Sequence, residues 1–85
     1  MELNKYKDLS GDGGIMGYFF LEDGIIIKFS NSYYYLYNYE NPGGEHVEKM
    51  KKLAAQGQGL KTYINKYVRD NYAYRFDKLP PSLAA

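Results

Sequence analysis

The chain contains no cysteine. Disulfide scaffolds, zinc ribbons and thiol nucleophiles are thereby excluded, and a reducing compartment is compatible. It contains one histidine, His46, so acid–base chemistry centred on imidazole has a single candidate. His46 stands between Glu45 and Val47 at the start of a helical segment and reads as a surface residue. No cluster has metal-ligand spacing, and Ser10-Gly11-Asp12-Gly13-Gly14 lacks the lysine of a phosphate loop. Glu22 with Asp23 resembles a carboxylate pair, but Asp23-Gly24 is better explained as turn chemistry. Neither an enzyme nor a cofactor is expected.

Long apolar runs are also missing. The longest, Ile15 to Leu21, is far too short to span a bilayer. The first residues mix Lys5 and Lys7 with Glu2 and Asp8 and lack a signal-peptide pattern. A soluble cytoplasmic protein without a membrane partner is the expectation. Strong net charge is absent too, at +1, which argues against tight non-specific nucleic-acid binding. That total hides an asymmetry: residues 1–44 carry three lysines against six acids, and residues 45–85 carry eight basic residues against four acids. The halves are therefore −3 and +4, a layout that can orient an anionic partner against the second half.

What the chain has in excess is tyrosine. Five of its eleven tyrosines fall in the run Tyr33-Tyr34-Tyr35-Leu36-Tyr37-Asn38-Tyr39. Crowded rings strain a helix but fit a pleated strand. Alternation puts Tyr33, Tyr35, Tyr37 and Tyr39 on one face, with Tyr34, Leu36 and Asn38 on the other. Eighty-five residues make one domain that buries roughly 60–65% of its unfolded surface, and aromatic bulk compensates for so thin a core.

Punctuation divides the chain into a polar lead-in (1–14), a folded unit (15–76) and a loose tail (77–85). Ile15–Leu21, Ile25–Phe29 and the tyrosine run read as three strands joined by the turns at Glu22-Asp23-Gly24 and Ser30-Asn31-Ser32. Beyond Asn41-Pro42-Gly43-Gly44 the period becomes helical. Val47, Met50, Leu53 and Ala54 form one stripe, and Gly57-Gln58-Gly59 stops that helix. Leu60, Tyr63, Ile64, Tyr67 and Val68 form a second stripe. Tyr72 to Phe76 alternates and reads as extended. The expected fold is α+β: a three-stranded antiparallel meander packed against two C-terminal helices.

With these elements in place the chain resembles the KTSC domain, found at the C-terminus of some lysyl-tRNA synthetases and as small stand-alone bacterial proteins. The resemblance runs from Ile15 to Arg75. Tyr35-Leu36-Tyr37 matches the family's central Tyr-x-Tyr, and Tyr33–Tyr35 and Tyr37–Tyr39 satisfy the same pattern. Asn41-Pro42, the helix over Val47–Ala54, Gly59 and Tyr63-Ile64-Asn65 follow in the family's order, then Tyr72-Ala73-Tyr74-Arg75. Leu36 departs from the polar residue usual inside the central motif. The resemblance implies an α+β fold; an association with RNA is suggested only by the synthetases that carry the domain, since fold likeness alone does not transfer function.

Two binding functions are compatible with these features. Sheets that bind single strands stack bases on aromatics and hold phosphates with Lys or Arg. Tyr33, Tyr35, Tyr37 and Tyr39 are the candidate platform, and Lys61, Lys66, Arg69 and Arg75 the candidate phosphate contacts. The plainer reading has alternate tyrosines packed under the helices. Lys49, Lys51 and Lys52 are either a partner patch or a solvated face, and Arg75 either stacks on a tyrosine or locks the fold. The alternative function is a protein-interaction domain, including a homodimer through the aromatic face or a strand edge.

Overall fold

Short apolar runs and short turns drive successive strands to pair with their neighbours in the chain. The computed structural model describes residues 3–11 and 13–78. Its strands are β1 (Asn4–Lys5), β2 (Ile15–Leu21), β3 (Gly24–Phe29), β4 (Tyr34–Asn38) and β5 (Tyr74–Phe76). They form one antiparallel sheet in the order β1-β2-β3-β4-β5. Between β4 and β5 come α1 (Gly44–Gln56) and α2 (Leu60–Tyr63), and α2 runs on into a π-helical turn, Ile64–Val68. The α+β class is as expected, but the sheet has five strands rather than three. No described helix is long and apolar enough to cross a membrane.

Register fixes which side chains meet the helices. Ile25 faces Tyr37 and Ile27 faces Tyr35 across β3 and β4, so all four share one sheet face. That face packs on Val47, Met50 and Ala54 of α1 and on Leu60, Ile64 and Val68 of the second helical segment. The helical contribution from residues 60, 64 and 68 is a single row at four-residue spacing. On the opposite face, Phe19, Ile26, Leu36 and Tyr74 align across four strands. Phe19 and Ile26 are buried there, outside the cluster that the helices cover.

Part of the polar lead-in belongs to the sheet. Asn4 and Lys5 pair with Tyr18 and Gly17, and Tyr6 is buried, its hydroxyl accepting the Leu60 backbone N–H at 3.2 Å. Gly17 permits this close crossing: a Cβ there would lie 2.6 Å from the Asn4 carbonyl oxygen and from Leu3. Gly57 ends α1 in the left-handed conformation at φ 80°, and its N–H bonds to Leu53 and Ala54 close the helix. Its carbonyl in turn accepts the Leu9 N–H at 2.7 Å. Residues 1, 2, 12 and 79–85, which include most of the segment read as a tail, lie outside the described residues.

Candidate nucleic-acid interface

Tyr33, Tyr35, Tyr37 and Tyr39 lie on the helix side of β4, and packing separates them. Tyr37 is 1% exposed, and its hydroxyl donates to the Arg69 carbonyl at 3.4 Å. Burial pushes its pKa well above the usual phenol value, reinforced by neighbouring Tyr35, Tyr72 and Asp70. Half-buried Tyr35 meets Phe29 and Tyr72 edge-to-face at 4.8 and 4.9 Å. Tyr33 and Tyr39, at the two ends of the row, are exposed. The Arg75 guanidinium sits 4.8 Å from the Tyr33 ring centroid. Tyr39 donates to the Glu48 carboxylate at 2.7 Å, which raises its own pKa and lowers that of Glu48. The row is thus two core rings between two exposed ones, not one stacking platform.

The cations divide as well. Lys61 packs over Gly14, where a Cβ would lie 2.8 Å from its Nζ, and so stands against a loop rather than the tyrosines. Lys51 donates to the Leu21 carbonyl at 2.6 Å and pairs with Glu48 at 3.6 Å, anchoring α1 to the β2–β3 turn. Lys66 is exposed, its Nζ 5.3 Å from the Tyr67 ring centroid. Arg69 is exposed at the end of the π turn.

A further aromatic and basic surface lies between α1 and the second helical segment. Glu45, His46, Lys49, Tyr63 and Tyr67 line a cleft of about 520 Å³. His46 Nδ1 and the Tyr63 hydroxyl share a hydrogen bond of 2.7 Å. Tyr63 and Tyr67 are 4.8 Å apart between centroids, and His46 lies 5.8 and 6.4 Å from them. Partial desolvation, then the fields of Tyr67 and Glu45, raise the Tyr63 pKa. Tyr67 is 54% exposed. Sequence reasoning put Tyr63 and Tyr67 in the core stripe and His46 on a bland surface; Tyr63 does pack, half-buried, against the core, whereas Tyr67 does not. The usable signal was the width of that stripe: residues 60, 64 and 68 suffice to cover the sheet, which leaves 63 and 67 on the next row.

On the other flank of the same segment, a cleft of about 180 Å³ is lined by Phe29, Tyr35, Tyr37 and Ile64, with Asn65, Arg69 and Asp70 also lining it. The π turn closes with the Arg69 N–H on the Ile64 carbonyl at 2.6 Å, and Arg69 sits at φ 29°. A non-glycine residue held there costs on the order of 1–3 kcal/mol, and such strain gathers at functional sites, as π turns do. Among the described residues, the side chains of Asn65, Arg69 and Asp70 and the Tyr35 hydroxyl make no hydrogen bond or ion pair with the protein. No group of His, Asp or Glu among the described residues could hold a metal ion. No protein-family model matches the chain, and no curated protein or solved structure matches it either.

Proposed function

We propose that this protein is a non-enzymatic binding module for single-stranded RNA, and that the second helical segment carries its contact surface. One observation carries the reading: an exposed tyrosine, Tyr67, lies under the Lys66 ammonium and beside Tyr63, His46 and Lys49 in one cleft. Stacking on such a ring contributes about 1–3 kcal/mol per base, and adjacent cations take the phosphates. The basic second half of the chain and the resemblance to a domain carried by lysyl-tRNA synthetases support the same reading. Titration of the ¹⁵N-labelled protein with short RNA oligonucleotides tests it. Shifts gathered at His46, Tyr63, Lys66 and Tyr67 are expected; no shifts at moderate salt would overturn it.

A second reading, self-association, is favoured by β5. This strand ends the sheet, its outer edge has no strand partner among the described residues, and Tyr74 is 66% exposed beside Phe76. Exposed edges of this kind template pairing between chains. Salt-tolerant dimerisation that Tyr74→Ser abolishes would favour this reading over RNA binding.

A further inference from the structure

We infer that the smaller cleft, between β3–β4 and the π turn, accepts a single guanine base of the bound strand; this rests on the RNA reading above. The cleft of about 180 Å³ has room for one base ring and not for two. One part of its lining is aromatic and apolar, with Phe29 and Tyr35 at 72° to each other, so a flat ring can stack on one while meeting the edge of the other. Binding sites of this kind combine apolar walls with a few convergent polar groups. Here those groups are a guanidinium, a carboxylate, an amide and a phenol, none in a hydrogen bond or ion pair among the described residues.

The polar set selects the base. Guanine alone presents two adjacent donors on its Watson–Crick edge, N1–H and N2–H, which match the two oxygens of a carboxylate such as Asp70. It also presents two adjacent acceptors, O6 and N7, which match the fork of a guanidinium such as Arg69. Adenine offers a carboxylate only its single amino group, and uracil lacks the paired O6 and N7 acceptors that match a guanidinium fork. Unstacked bases in single-stranded RNA are read through these edges.

Arg69 is also prepared for the task. Its N–H is held by the Ile64 carbonyl and its C=O by the Tyr37 hydroxyl. Both sides of the residue are tied to the fold while the guanidinium makes no hydrogen bond or ion pair within it. A contact group whose base is fixed in advance loses less freedom on binding.

Fluorescence anisotropy with labelled UUGUU, UUAUU and UUUUU tests the inference. The guanine pentamer should bind at least about tenfold more tightly than the other two, from one good bidentate contact. Asp70→Asn and Arg69→Gly should each abolish that preference while leaving the affinity for UUUUU within about twofold. Glycine accepts a positive φ, so Arg69→Gly removes the guanidinium without endangering the fold. Equal affinity for all three pentamers would overturn the guanine assignment and leave the RNA reading standing. A preference that survives both substitutions would move the base to another site and overturn it equally. Failure of every pentamer to bind would remove the RNA reading, and this inference with it.

Discussion

Removing the Tyr37 hydroxyl isolates one bond between the sheet core and the Arg69 carbonyl. Tyr37→Phe keeps the ring and its packing, so the loss should be about 0.5–1.5 kcal/mol, the net worth of a typical hydrogen bond. Its pH signature is more specific. The folded-state pKa lies above the ordinary value of 10.0 because the buried phenol resists charging. Stability from this group is therefore complete below pH 10 and declines as pH rises above it, where the unfolded chain ionises first. Urea melts at pH 8 and pH 11 should show a smaller alkaline loss for Tyr37→Phe than for the parent chain. An equal loss in both would show that other groups dominate the alkaline side.

Strand β3 supplies the centre of the core: Ile25, Ile26 and Ile27 are fully buried between the faces of the sheet. Ile27→Ala should cost about 2–5 kcal/mol, a large part of the few kcal/mol available to an 85-residue domain. Phe20→Ala, on the same sheet but 43% exposed, should cost clearly less; denaturant midpoints compare the two. The contrast also marks what was legible beforehand. Short apolar runs in β2 and β3 and alternation in β4 revealed the strands, and the short turns between them revealed their pairing, because both are local signals. The two edge strands were harder: β1 has only two residues, too few for a period to declare itself, and β5 (three residues) lies in the alternating Tyr72–Phe76 stretch that read as extended but gave no sign of joining the sheet. The π turn was invisible, since Ile64–Val68 reads as ordinary helix and only the tie from Arg69 back to Ile64 distinguishes it. At the candidate site, Lys66 and Arg69 were recognisable as exposed cations. The part played by His46 and Tyr63 was not, because it depends on α1 meeting the second segment across seventeen residues of chain.

Taken together, the molecule combines near-zero net charge with a basic second half. Affinity for single strands should accordingly be modest and depend measurably on salt. With Lys49 and Lys66 as contacts, log K should fall with log salt at a slope of about −1.4, and Lys66→Ala should reduce that slope by about 0.7. A slope near zero would assign the binding to something other than phosphates. The radius of gyration of 11.6 Å matches the roughly 12 Å expected of a lone domain of this length, whereas a globular dimer would measure about 15 Å. Small-angle scattering across a concentration series distinguishes the two, and thereby the RNA reading from self-association.

The bond between Tyr37 and Arg69 also gives an expectation for the order of assembly. It closes a loop across 32 positions of sequence, and the four residues after it lead directly into the Ala73 N–H bond to Leu36 that starts the pairing of β5. Closing long loops is paid in chain entropy before any pairing rewards it. The last strand in the chain is then the last to dock and the first to leave. Amides of β5 should exchange with solvent well ahead of those in β3, so the exposed rings of Tyr74 and Phe76 ride on the part of the sheet that opens most often.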